Sequence, residues 1–254
     1  MLLAVDVGNT LTDLGFYEGD KLLHLYKTRS ETSKSYEEYI ATLTLFLKSE
    51  GIDKKQITGG IFSSVVPSLS EIWKRIFQEY FGVRPFFVGP KLSTGIKIDT
   101  DNPKEVGADL ICDAVGAKEK YGPRCIICDL GTATKTILLD DKGAFAGCTI
   151  GTGLAVGLQA LVHNTAVLPE VGLVTPKKVL GKNTVDSMNS AFTYGTAFEL
   201  RGLADAIEKE AGYPCKRILC GGYSRYVKDL LPDFIYDETL LLDALLTLYK
   251  RNSK

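Results

Sequence analysis

The chain has 254 residues, 45% hydrophobic and 24% charged, with a formal net charge of −1. Such a chain suits a globular protein of one large or two ordinary domains, and its balanced charge provides no field for nucleic acid or an anionic membrane. No stretch reaches the roughly 18 apolar residues of a bilayer span, and MLLAVDVGN meets Asp6 and a turn too early for a leader, so a cytoplasmic protein is expected.

In chain order, LLAVDVG, TDLGFYEG and KLLHLYKTR read as three strands, with the glycine of EGD as a hairpin turn. SYEEYIATLTLFLKSEG has apolar residues at helical spacing and ends on Gly51, which suits a helix C-terminus. GGIFSSVVP predicts a strand, SLSEIWKRIFQEYFG an amphipathic helix and PFFVG another strand, giving the order β-β-β-α-β-α-β. The linker-like KLSTGIKIDTDNPKEVG precedes a helix expected over Ala108 to Tyr121. The pattern then restarts. CIICDLG, TKTILLDD and GAFAGCTIG read as strands, followed by helices in LAVGLQALVHNT, in the long segment from Thr184 to Gly212 and in TLLLDALLTLYKR, with RILCGG a strand before the last. Each half opens on three strands, so the chain is expected to form two similar α/β lobes, residues 1–118 and 119–254, with a cleft between them.

The six cysteines provide no disulfide or metal framework. Cys125 and Cys128 form a CxxC, but on a strand their sulfurs would not share a face. His24 and His163 are the only histidines, which leaves little for His-based chemistry.

Chemistry concentrates where the pattern repeats: VDVGNTLTD opens the first half and CDLGTATKT the second. A turn directly after a buried strand presents backbone N–H groups at the end of a sheet, where ligands of open α/β sheets bind. Gly8 and Gly131 allow a tight turn and close approach to a phosphate. Asn9, Thr10 and Thr12 in the first copy, and Thr132 and Thr134 in the second, are neutral donors for phosphate oxygens. Asp6 and Asp129 offer carboxylates to a hard cation, directly or through water. No GxxxxGK[ST] and no GxGxxG after the first strand occurs, so neither a P-loop nor a dinucleotide fingerprint is available. In DNPKEVGADL, the Gly107 turn delivers Asp109 to the start of a helix. Two readings stay open for that carboxylate: a first-turn residue favoured by the helix dipole, or a base for a substrate hydroxyl attacking a γ-phosphate.

DVGNT, VGAD and DLGTAT, in that order, resemble the type III pantothenate kinases, as do SSVVP, NPKEVGAD, NTAVLP, GKNT and the CGG near Gly221. The resemblance covers nearly the whole chain. It implies a duplicated ribonuclease H-like fold of the acetate-and-sugar-kinase/Hsp70/actin type with the active site in the cleft. It also implies a homodimer that uses ATP, magnesium and a monovalent cation, potassium or ammonium, to phosphorylate pantothenate in the first step of coenzyme A synthesis. Carried over by position, it implies that Asp6 to Asp13 line the ATP phosphates, with Asp6 near magnesium and Thr132 on ATP. Asp129 would hold the monovalent cation and Asp109 would be the general base. Gly107, Ala108, Asp109 and Leu110 would border pantothenate, and Thr184 would reach it across the dimer interface.

The chain departs from the family pattern at Leu110, where GADR is usual, and at Thr100, Lys135, Cys148 and Thr152. Lys135 invites the expectation that its ammonium replaces the monovalent cation or meets a phosphate; a solvent-facing lysine is the alternative. Leu110 and Thr100 leave two further functions open: a kinase of the same fold acting on another small alcohol, and a nucleotide-binding regulator without turnover.

Overall fold

The computed structural model describes residues 1–253 and divides into two compact units. The first comprises residues 1–95, 102–119 and the chain from Leu241 on; the second comprises Ile96–Asp101 and Lys120–Leu240.

In the first unit, β1 (Leu2–Val7) is apolar along most of its length because strands flank it on both sides and its side chains face the interior. It pairs antiparallel with β2 (Leu11–Glu18), which pairs antiparallel with β3 (Lys21–Arg29). On its other side β1 runs parallel to β4 (Gly59–Ser64), and β4 parallel to β5 (Phe86–Phe87), for an order β3-β2-β1-β4-β5. Helix α1 (Tyr36–Ser49) begins at a reciprocal capping box between Ser35 and Glu38 and is followed by Gly51 at φ 69°, where a glycine is needed. Helix α2 (Pro67–Arg75) starts on a proline, which lacks the N–H that a first turn would leave unpaired. It passes into a π-helical turn, Ile76–Tyr80, closed by the Phe81 N–H on the Ile76 carbonyl. Leu3, Val5, Leu14, Phe16, Tyr39, Trp73 and Phe77 form the core between the sheet and these helices.

Helix α3 (Ala108–Tyr121) presents Leu110, Cys112, Ala114 and Val115 to the interior. The last helix, α6 (Leu240–Asn252), is tied to the first unit by the Tyr17 hydroxyl, which donates to Asp243 Oδ1 at 2.7 Å. Gly59 matters here: a Cβ on it would collide with the Tyr249 ring.

The second unit repeats the plan. Central β6 (Cys125–Leu130) is buried throughout and pairs antiparallel with β7 (Ala133–Leu139), which pairs antiparallel with β8 (Phe145–Thr152). Parallel β9 (Lys216–Cys220) and β10 (Ile235–Tyr236) complete the order β8-β7-β6-β9-β10. Strand order and pairing sense are those of the first sheet, so the weak sequence repeat is a structural duplication. Helix α4 (Leu154–His163) and the 28-residue α5 (Thr184–Ala211) follow β8, with Leu154, Ala197, Leu200, Ile126 and Leu219 in their common core. Helix α5 ends at Gly212 in the left-handed conformation, φ 79°.

The linker-like stretch is not a plain linker. Lys97 to Asp99 exchanges two 2.8 Å backbone bonds with Phe145 of β8, an extension with no hydrophobic period to announce it. Among the described residues no helix is long and apolar enough to cross a membrane.

Candidate active site

The first repeated motif is a tight turn joining β1 to β2. The Gly8 N–H donates to the Leu11 carbonyl at 3.0 Å, and a Cβ on Gly8 would press on that same oxygen. Asn9 and Thr10 are exposed at its tip, whereas Thr12 is fully buried with its hydroxyl 2.8 Å from Ser30 Oγ. Thr12 therefore braces the turn from inside.

Four strands contribute one row of side chains beneath this turn. Asp6 lies opposite Asp13 on β2 and Ser63 on β4, and Asp13 lies opposite Lys27 on β3. Directly opposed residues project from the same face of a sheet. Ser63 donates to Asp6 Oδ1 at 2.5 Å, and Lys27 Nζ sits 3.2 Å from Asp13 Oδ2. The row carries two carboxylates and one ammonium.

Helix α3 begins at the same place. Asp109, in its first turn, accepts the Leu110 N–H on Oδ1 at 2.9 Å. Gly107 leaves room for that carboxylate: a Cβ there would come within 2.5 Å of Asp109 Oδ1. One turn on, the Cys112 thiol is fully buried. Burial, and then the nearby charges of Asp6, Asp113 and Asp109, push it well above the ordinary thiol range, while the Ser63 hydroxyl beside it acts the other way. Asp6 and Asp109 thus both act on the thiol that Ser63 adjoins. Ser63, Cys112 and Asp113 were not singled out in the sequence; the only signal was Ser63's place in SSVVP and the i, i+4 spacing of Asp109 and Asp113 on one helix face. Leu110 is buried, 6% exposed, and Ala108 is the first residue of the helix.

The second motif is the corresponding turn between β6 and β7, with the Gly131 N–H on the Ala133 carbonyl at 3.0 Å. Gly153, which caps α4, donates to the Thr132 carbonyl at 3.2 Å, and any Cβ on it would strike the carbonyls of Gly131 and Thr132. The first turn of α4 is thereby held against the motif, and a helix N-terminus favours an anion. Thr134 is buried with Oγ1 lacking a hydrogen-bond partner among the described residues.

Here too one row crosses the strands. Asp129 lies opposite Lys135 on β7 and Cys220 on β9, and Lys135 opposite Ile150 on β8. Asp129 matches Asp6 and Lys135 matches Asp13. Lys135 Nζ forms an ion pair with Asp129 Oδ2, with only 12% and 9% of the two side chains exposed. Gly221, at φ 85°, packs so closely on Asp129 Oδ1 that any side chain would collide with it.

Thr184 is the exposed first residue of α5, after an Asn183 cap whose side chain accepts the Asp186 N–H at 2.8 Å. It lines an open hollow of about 660 Å3 with Lys182, Leu161 and Leu168. The CxxC is inert. Burial pushes the Cys125 thiol up to about 11 and the Cys128 thiol up to about 12, and all six cysteines are unbridged.

The donor sets differ in what they fit. Asp6 and Asp13, opposed on one face with Asn9 and Thr10 above, suit a hard divalent cation and phosphate oxygens. Asp129 does not suit a free monovalent cation, because Lys135 already holds Oδ2 and Gly221 backs Oδ1.

A family model described as type III pantothenate kinase matches residues 2–206. A type III pantothenate kinase of Myxococcus xanthus is 38% identical over 253 residues, covering 99% of each chain. One of Halalkalibacterium halodurans is 36% identical over 253 residues, covering 99% of this chain and all of that one. Among solved structures, a ROK family glucokinase from Streptomyces griseus in complex with glucose and AMPPNP aligns with a TM-score of 0.53 at 14% identity, covering 99% of each chain. That likeness is one of fold, the sugar-kinase and actin type.

Proposed function

Because the chain belongs to the type III pantothenate kinase family, we infer that it transfers the γ-phosphoryl group of ATP to pantothenate, giving 4′-phosphopantothenate for coenzyme A synthesis. One observation supports this at the level of residues: Asp6, at the first phosphate turn, accepts from Ser63, and the charges of Asp6 and of Asp109, at the start of α3, both act on the same buried Cys112 thiol. A phosphate-binding turn beside a carboxylate able to take a proton is what transfer to an alcohol needs.

The roles follow from the chemistry. Gly8, Asn9 and Thr10 offer N–H and hydroxyl donors to the ATP phosphates, and Thr12 braces them. Asp6 and Asp13 would hold magnesium, which would neutralise charge on the phosphates. Gly131 and Thr132 meet ATP from the second motif, where the Thr134 hydroxyl and the first turn of α4 favour an anion. The pantothenate hydroxyl attacks the γ-phosphorus, Asp109 accepts its proton, and ADP leaves with the bridging oxygen. Gly107 keeps the Asp109 carboxylate in position, and Ala108 and Leu110 shape the surroundings. Leu110, being apolar and buried, supplies no charge to the substrate carboxylate; Lys182 and Thr184 offer an ammonium and a hydroxyl from one hollow. Asp129 has its positive charge beside it in the Lys135 ammonium, where the family resemblance implies potassium or ammonium.

The working form is a homodimer. Ile150, Val156, Leu180, Val185 and Phe198, all in the second unit, expose apolar side chains that a second copy would cover. Cytoplasm is the compartment that supplies ATP and keeps six unbridged cysteines reduced.

The test is incubation of purified protein with ATP, magnesium and pantothenate, reading 4′-phosphopantothenate by mass spectrometry and dimerisation by light scattering. Turnover of other hydroxylated acids or sugars but not of pantothenate would overturn the substrate; ATP binding without any turnover would overturn the enzyme.

A further inference from the structure

The two rows of side chains under the two turns occupy the same places in duplicated sheets but carry different charges. In the first row Asp6 faces Asp13, and Lys27 from the next strand pairs with Asp13. Two opposed carboxylates suit an added hard cation. In the second row Lys135 stands where the first has Asp13, and Ile150 stands where the first has Lys27. Lys135 brings one positive charge directly onto Asp129.

Three features make this pair a closed cation site. Lys135 Nζ is on Asp129 Oδ2, both side chains are about nine-tenths buried, and Gly221 covers Oδ1. A primary ammonium has the charge of potassium or ammonium ion and three N–H donors for oxygens. Tethered to a strand directly opposite the acid, it is present at an effective concentration that a free ion would match only in the millimolar range or above. A buried carboxylate stripped of its partner is costly, so removing Lys135 favours uptake of a free cation beside Asp129.

We propose that Lys135 is a built-in substitute for the monovalent cation, so that this enzyme binds ATP and turns over without potassium or ammonium. The proposal rests on the reading that the second motif meets ATP. It concerns only this chain's own lysine and requires no other change in the phosphate-binding turns.

The experiment compares potassium, ammonium and choline chlorides at equal ionic strength, on wild type, Lys135→Ala and Lys135→Thr. Three quantities are read: affinity for a non-hydrolysable ATP analogue by calorimetry, initial rate, and thermal midpoint without nucleotide. Wild type is expected to give the same values in all three salts. The variants should bind the analogue about tenfold more weakly in choline, as for a lost charge-assisted contact, and recover in potassium or ammonium; their midpoints should rise with the same two ions. Should either variant fold poorly, the wild-type salt series and the other variant decide alone. Potassium activation of the wild type would overturn the proposal. So would weak binding by the variants in every salt, which would make Lys135 a direct phosphate ligand. Failure of the wild type to bind the analogue in any salt would instead sink the ATP reading, and the nucleotide-free midpoints would still report on the cation.

Discussion

Ser63 donates its hydroxyl to Asp6 Oδ1 at 2.5 Å across the parallel β4–β1 pair, and the same hydroxyl borders the Cys112 thiol. Ser63 is itself fully buried, so it orients Asp6 from behind the site. Outer partners of metal-binding carboxylates are commonly worth 10–100-fold in affinity. Ser63→Ala is therefore expected to raise the KM for MgATP about tenfold, with the deficit shrinking as magnesium is increased. An unchanged magnesium dependence would make Ser63 a packing residue only.

Asp109→Asn removes the proton acceptor while keeping size and the ability to accept the Leu110 N–H. The expected result is a fall in kcat of about 10²–10⁴-fold, the usual range for a general base, with calorimetric ATP affinity little changed. Near-normal turnover would return Asp109 to the role of a helix first-turn residue.

Gly107→Ala tests the same group indirectly. Its Cβ would come within 2.5 Å of Asp109 Oδ1, so the carboxylate must move. Small displacements of a reacting group cost about 10²-fold in rate. The substitution should lower kcat on that scale while ATP affinity and thermal midpoint stay near wild type. A matched loss of stability and rate would point instead to a disturbed helix start.

Arg217 sits among acids in the second unit, bonding Glu208 Oε2 and Asp205 Oδ1, each at 2.6 Å, with 15% of its side chain exposed. The Arg217 guanidinium holds the Glu208 carboxyl below the usual carboxylate range, and the Arg201 guanidinium does the same for Asp233. Depressed carboxyls stabilise the fold above their unfolded values near pH 4, and that contribution is lost as pH falls through the lower folded values. Arg217→Ala should cost about 2–3 kcal/mol in urea unfolding at pH 7, because it leaves Glu208 without its partner. The gap to wild type should close as pH falls below about 4; a constant gap would assign the loss to packing against Phe234.

Cys112, Cys125 and Cys128 should resist alkylation in the native protein. At pH 8 a thiol at about 12 is thiolate in roughly one part in 10⁴, against roughly a quarter for an ordinary thiol. Mass spectrometry after iodoacetamide should find these three unmodified until urea is added. Rapid native labelling of Cys128 would contradict its burial.

Local pattern carried the elements well. The strands of the first half, the four strands of the second half other than β10, the helix after Ser35, the helix over Ala108 to Tyr121 and the turns at Gly8 and Gly131 rest on period, caps and glycines, which neighbouring residues encode. What local pattern does not encode is pairing. Lys97 to Asp99 read as a linker because a short strand extension has no period of its own. Ser63 read only as part of the strand and motif SSVVP, and Cys112 as a small buried residue, because nothing adjacent in sequence marks Asp6 as acting on both.

By itself, then, the sequence determined two copies of an apolar strand ending in an acid and a glycine turn, and the family those copies belong to. Tertiary structure alone decided what each acid faces. Asp6 and Asp129 occupy matching positions in duplicated sheets, but cross-strand register places Asp13 opposite the first and Lys135 opposite the second. Register depends on hydrogen bonds between strands, and those partners are set by the fold around each turn. The same motif therefore places a carboxylate opposite one acid and a buried ammonium opposite the other.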